Sequence, residues 1–230
     1  RGDFDGDGND EAVLENGSAA LFFSPTDGGT LFEADYKPKP FNFLNTLSRR
    51  DEPYHDLLRE GAALVGGEDQ GDLSIHEMAK AKETDLNRFL VYDAHRRVSL
   101  RDRFLDPSAS ADTLWAGTAR EYGDFAAGRY ELEMGDGEVT LTRRGKVSVP
   151  GGDPLPFTVR KRVTLAPDAS RAGIRYDIEA GGAWPESLLF GVEFAANLLT
   201  GSAGDRYYLS EDRDLGGPLL GTRGCEEALA

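Results

Sequence analysis

The densest chemistry in the chain lies in Gly2-Asp3-Phe4-Asp5-Gly6-Asp7-Gly8-Asn9-Asp10-Glu11, where carboxylates recur at alternate positions among glycines. Asp3, Asp5 and Asp7 fall on positions 1, 3 and 5 of a calcium-loop pattern, with Gly8 at the sharp-turn position 6. Asn9 can offer its backbone carbonyl from position 7, and Glu11 a carboxylate from position 9. Hard oxygen ligands at this spacing fold a short loop around one ion at about 2.3–2.6 Å. Without a cation the same carboxylates repel one another. The expected metal ligands are therefore Asp3, Asp5, Asp7, Asn9 and Glu11, and the expected cofactor is a structural Ca2+. A full helix-loop-helix hand wants a bidentate Glu at position 12, where Leu14 stands. The loop instead runs into Ala12-Val13-Leu14, which reads as a strand, so the pattern is that of the shorter loops at strand entrances. A solvated Asp-Gly turn that binds nothing is the alternative.

Other reactive side chains are sparse. His55, His76 and His95 could serve as general acid or base, and a His paired with a Glu opens sugar rings in epimerases. Glu193 would be the partner. A hydrogen-bonded structural role suits His55 better and simple solvation suits His76, while Arg96 and Arg97 beside His95 disfavour its protonation. Trp115 and Trp184 could stack on sugar faces, Trp184 from a loop ahead of Pro185, although packing is the plainer fate of both. There is no glycine-rich phosphate loop, no Ser-centred nucleophile elbow and no Cys/His cluster. With 41 acidic residues, carboxylate pairs arise by chance, so no catalytic residue is assigned.

These groups sit in a chain built for sheets. Hydrophobic residues make up 39% and aromatics 10%, enough for a core and against disorder, and 28 glycines with 11 prolines imply many turns. A net charge of −15 excludes a sequence-independent grip on nucleic acid, which needs a positive surface. No apolar run reaches the roughly 18 residues of a membrane span. The lone Cys225 excludes an internal disulfide framework and fits a reducing cytosol, so the expected compartment is cytoplasmic. The chain opens on Arg1 without Met or signal peptide and ends without clear period, which reads as one domain over residues 1–230, a fragment truncated at both ends.

Alternation of apolar side chains marks the strands. Leu21-Phe22-Phe23 ends at the turn cluster Pro25 to Gly29; Thr30 to Tyr36 alternates; Phe41, Phe43 and Asn45 follow the Pro38-Lys39-Pro40 break. Ser48 to Leu58 reads as a helix interrupted by Pro53, and Ser74 to Lys82 as a second short helix with a capping box. From Tyr130 the strands carry Leu132 and Met134, then Val139 and Leu141 beyond an Asp136-Gly137 turn. Phe157 to Leu165 and Ile174 to Ile178 come next, then six alternate apolar positions from Leu188 to Leu198. The expected fold is mainly β: a large antiparallel β-sandwich with one or two short helices. No internal repeat supports a propeller.

Three segments, read together, resemble one family. They are Asp27-Gly28-Gly29-Thr30-Leu31-Phe32-Glu33 through Asn42 to Arg50 and Tyr54-His55; Tyr92-Asp93 through Arg97-Val98-Ser99-Leu100-Arg101-Asp102-Arg103-Phe104-Leu105; and Phe190-Gly191-Val192-Glu193-Phe194. From about residue 3 to about residue 200 the chain is similar to the C-terminal domain of family-57 glycoside hydrolases, the α-amylase and 4-α-glucanotransferase group. The resemblance implies a galactose-mutarotase-like supersandwich packed behind a catalytic barrel of the same parent chain. It implies an accessory domain without catalytic residues, with α-glucan as a further partner. Where such domains often carry His in the Ser-Leu-x-Asp-His-Phe segment, Arg103 stands here, so no role passes through that position. A free-standing mutarotase-like epimerase and a calcium-dependent binding module are the competing readings.

Overall fold

The computed structural model describes residues 1–59, 86–184, 188–197, 208–210 and 213–216. They fall into two compact units, Arg1–Leu47 with His95–Ala230, and Ser48–Ala94.

In the first unit, β1 (Ala12–Glu15), β2 (Ala19–Ser24), β3 (Thr30–Tyr36) and β4 (Phe41–Asn42) form an antiparallel meander. Strand β5 (Arg101–Leu105) stands apart from it in sequence and pairs with β10 (Leu189–Glu193). A second meander holds β6 (Glu131–Gly135), β7 (Glu138–Val147), β8 (Leu155–Leu165) and β9 (Ala172–Ala180), and β11 (Tyr208–Ser210) pairs with β12 (Arg213–Gly216). The Asp-Gly signal is realised as a tight hairpin: Gly135 faces Glu138 across the two-residue loop Asp136-Gly137.

The expected sandwich is what forms. Along β8, Phe157, Val159, Lys161, Val163 and Leu165 are buried while the residues between them reach outward. Their apolar members join Val139 and Leu141 of β7 against Ala12, Leu14, Leu21 and Phe23 of β1 and β2 in one continuous core. Each fully buried side chain of this size contributes about 1.5–3 kcal/mol. Strand β5 is covered on both faces, with Arg101, Asp102, Phe104 and Leu105 all buried. Phe104 is the hub of the aromatic core, with ring centroids 4.9 Å from Phe125, 5.2 Å from Phe157 and 5.0 Å from Phe190.

Several local expectations change. The run from Leu188 to Leu198 yields a strand of five residues, and Phe194 beyond it is 62% exposed; Leu198 lies outside the described residues. The run at Phe41 ends after Asn42, because the Asn42 side-chain Oδ1 accepts from the Leu44 and Ala34 amides and so turns the chain. In the second unit, the helix expected over Ser48–Leu58 is confined to His55–Arg59. The residue before a proline is driven out of the helical region, so a helix here starts only after Pro53. The helix expected over Ser74–Lys82 lies outside the described residues. One unexpected helix, Ala111–Trp115, starts at Ser110, whose hydroxyl accepts from the Thr113 amide while Thr113 Oγ1 accepts from the Ser110 amide. A Thr in place of the usual Glu hid this capping box. Among the described residues no helix is long and apolar enough to cross a membrane.

Candidate functional site

The acidic loop closes on itself before entering the sheet. Gly2 and Glu11 exchange both backbone hydrogen bonds, at 3.2 and 2.8 Å, and Ala12 then begins β1 fully buried. Inside the loop the Asp3 carboxylate accepts from the Gly6, Asp7 and Gly8 amides at 2.8, 3.1 and 3.0 Å. Of the five expected ligands, Asp3, Asp5 and Glu11 come together, with carboxylate oxygens within 4.8 Å of one another. Asp7 is not in this group: its Oδ1 accepts from the Asn9 amide and from Asn9 Nδ2. The Asn9 side-chain oxygen accepts from Arg129 instead.

A second concentration of charge lies inside the sandwich, and it draws on the segments that carry the family resemblance. Lys161 and Asp102 are both fully buried, with Nζ 3.0 Å from Oδ2. Lys161 also donates to the carbonyls of Gly28 at 2.8 Å and Leu100 at 2.7 Å, while Asp102 accepts from the hydroxyls of Tyr130 and Tyr176. Next to Asp102 on the same strand, Arg101 grips Asp27 with two parallel hydrogen bonds of 3.0 and 2.9 Å and donates to the Ala126 carbonyl. Each of these charges faces an opposite one, as burial in a low dielectric demands, although Arg101 Nε has no hydrogen-bond partner among the described residues.

The loops so held are strained or crowded. Leu100 takes a φ of +61°, a left-handed conformation that costs a bulky residue of order 1–3 kcal/mol. Gly28 and Gly29 also have positive φ, and a Cβ on Gly28 would meet the Ala126 carbonyl oxygen at 2.3 Å. One on Gly29 would meet the Tyr130 ring at 2.8 Å. Asp27-Gly28-Gly29 and Leu100-Arg101-Asp102 are thus two tight corners pinned by cations. Their chemistry is structural.

The signs of the shifts in this cluster define an alkaline limit. Burial first, and the Asp102 charge second, push the Tyr130 and Tyr176 phenols up from 10. A neutral buried phenol contributes stability that is complete below pH 10 and is lost as pH climbs through its raised folded value. Burial pushes Lys161 down from 10.5 to about 8 against the pull of Asp102, so the ammonium that completes the buried pair is present below pH 8. The thermal midpoint should fall as pH climbs above 10, with the fall shallower in Tyr176→Phe. A midpoint that does not fall above pH 10 would contradict this assignment.

The described histidines and the tryptophans are engaged elsewhere. His55 Nδ1 accepts from the Glu52 amide at 3.2 Å and lies 3.0 Å from the Tyr92 hydroxyl, a structural role. His76 lies outside the described residues. His95 is held below its ordinary value by burial first and then by Arg101 and Arg103, rather than by the adjacent Arg96 and Arg97. Arg103 donates to Glu121 and, at 3.2 Å, to Glu193, so the Glu193 carboxylate already has a cation. Trp184 is 41% exposed, with its indole packed 5.2 Å from Phe157 and its N–H 3.5 Å from the Leu188 carbonyl. Trp115 closes the short helix, half-buried.

Fold and interior together define a β-sandwich domain whose ionic chemistry is turned inward. Residues 3–224 match the family described as alpha-amylase/4-alpha-glucanotransferase, C-terminal, and the chain belongs to that family. It is 36% identical over 212 residues to Alpha-amylase 1 of Dictyoglomus thermophilum, covering 92% of this chain and 29% of that protein. To the 4-alpha-glucanotransferase of Thermococcus kodakarensis it is 36% identical over 193 residues, covering 83% and 27%. The crystal structure of 4-alpha-glucanotransferase from Thermococcus litoralis superposes with a TM-score of 0.64 at 30% identity, covering 84% of this chain and 26% of that one. The chain therefore spans less than a third of the length of these relatives. The resemblance read from the sequence holds, and it reaches residue 224 rather than about 200.

Proposed function

We propose that this chain is the non-catalytic accessory domain of an α-glucan-processing enzyme, bracing a catalytic barrel of the same parent chain. The parent reaction would be cleavage or transfer at α-1,4-glucosidic bonds. One observation carries the reading: most of this chain matches, yet it accounts for only 26–29% of each of the three relatives given above. The interior agrees with it, since the buried ions of the sandwich fasten its own corners. A retaining glycosidase instead needs two carboxyls about 5–5.5 Å apart across an open scissile bond. Contact with glucan would fall to Trp184, which presents part of its indole from a braced position. Cytoplasmic residence belongs to the same reading and rests on the lone Cys225; fractionation of the parent protein to an oxidising compartment would overturn it.

The test is turnover of maltooligosaccharides by the chain alone, beside its mobility in gels containing soluble amylose. The expected result is no hydrolysis, transfer or sugar epimerisation, with amylose retardation that Trp184→Ala abolishes. Turnover by the isolated chain would overturn the accessory reading in favour of a free-standing sugar-modifying enzyme. Unchanged mobility in the Trp184→Ala variant would dismiss the platform.

A further inference from the structure

We propose that Asp3, Asp5 and Glu11 bind one calcium ion that fastens the 2–11 loop to the first strand of the sandwich. The three carboxylates bring oxygens within 4.8 Å of one another, a separation at which like charges repel strongly unless a cation lies between them. Glu11 supplies the second, independent observation. It is fully buried, its Oε2 accepts from the Phe4 amide at 2.8 Å, and its Oε1 has no hydrogen-bond partner among the described residues. A buried carboxylate oxygen without a donor is rare because it forfeits its hydration for nothing. A cation held by the same carboxylate and its two exposed neighbours repairs that loss.

The donor chemistry selects the ion. All three groups offer oxygen, and no His or Cys among the described residues joins them, which favours a hard cation over zinc or copper. Carboxylates borne on a short loop suit the variable geometry of calcium better than the strict octahedron of magnesium. Glu11 is also the mechanical link: it is bonded through its backbone to Gly2 on one side and followed by the buried Ala12 on the other. An ion on its carboxylate ties the exposed aspartates to the core through a single residue.

Calcium titrated into the chelator-stripped chain, read by calorimetry and thermal unfolding, tests this. The expected stoichiometry is one ion per chain. At free Ca2+ a hundredfold above the dissociation constant, the midpoint should rise by roughly 5–10 °C. Asp5→Asn, at an exposed position that leaves the core intact, should weaken binding at least about tenfold, and Glu11→Gln should abolish it. If Glu11→Gln fails to fold, Asp5→Asn decides. No heat and no rise in the midpoint of the parent chain would overturn the site. So would an equal rise in an Asp3→Asn/Asp5→Asn variant, because a chain of charge −15 gains that much from simple screening by divalent ions. An equal rise with Mg2+ at the same concentration would overturn the choice of calcium.

Discussion

Lys161→Met should cost the fold about 3–5 kcal/mol, the penalty for removing one member of a fully buried ion pair. The loss is large because Asp102 stays behind, wholly buried, with only the Tyr130 and Tyr176 hydroxyls to answer its charge. The Gly28 and Leu100 carbonyls lose their donor in the same stroke, and with it the clamp on two left-handed corners. Urea denaturation of both chains measures the difference. Adding Asp102→Leu to Lys161→Met should recover part of it, since two apolar residues leave no unpaired charge. A double-mutant cycle through these variants should give a coupling of about 0.5–3 kcal/mol. A loss below about 1 kcal/mol for Lys161→Met would show that the pair does not brace the core.

Phe104→Ala should be comparably severe, at about 3–5 kcal/mol and a fall in midpoint of roughly 6–20 °C. Phe104 is fully buried and its ring meets Phe125, Phe157, Phe190 and Trp184, with centroids 4.9 to 6.1 Å away. Those four rings come from β8, β10 and two loops, so the cavity has walls on several elements that cannot collapse together. Gly123 backs the same ring so closely that a Cβ there would come within 2.9 Å of it, which leaves no slack for repacking from that side. Differential scanning calorimetry gives the result directly, and Phe104→Leu should recover much of the loss by restoring volume.

The alternation that marked the strands was legible because period two is a direct image of one face buried and one face wet. It located β3 and β6 through β9, while a contiguous apolar run marked β2 and the Asp136-Gly137 pair marked the hairpin. The alternation also contained Lys161, though a lysine is not read as core. Lys161 shares the parity of Phe157, Val159, Val163 and Leu165, and that parity alone placed it inside. The signal lies in the sequence, masked because a charged side chain ordinarily faces water. Its partner could not be found the same way, since Asp102 sits on a strand buried on both faces, where alternation vanishes. The acidic loop was legible in its residue types and only partly in its geometry. Spacing cannot show that Asp7 turns to the Asn9 amide while Glu11 turns inward. The family segments are legible by their residues, and the structure gives those residues their reason: Asp27, Gly28, Leu100, Arg101 and Asp102 are where the cations hold the corners.

The reach of Lys161 to Gly28 spans 133 positions of the polypeptide, and its reach to Leu100 spans 61. During synthesis both bends emerge well before the ammonium that will lock them, so a nascent chain halted ahead of residue 161 carries Asp102 with no lysine to meet it. Closure over so long a stretch pays its entropy before any reward. The ammonium that closes both bends thus comes from β8, far along the chain from either of them.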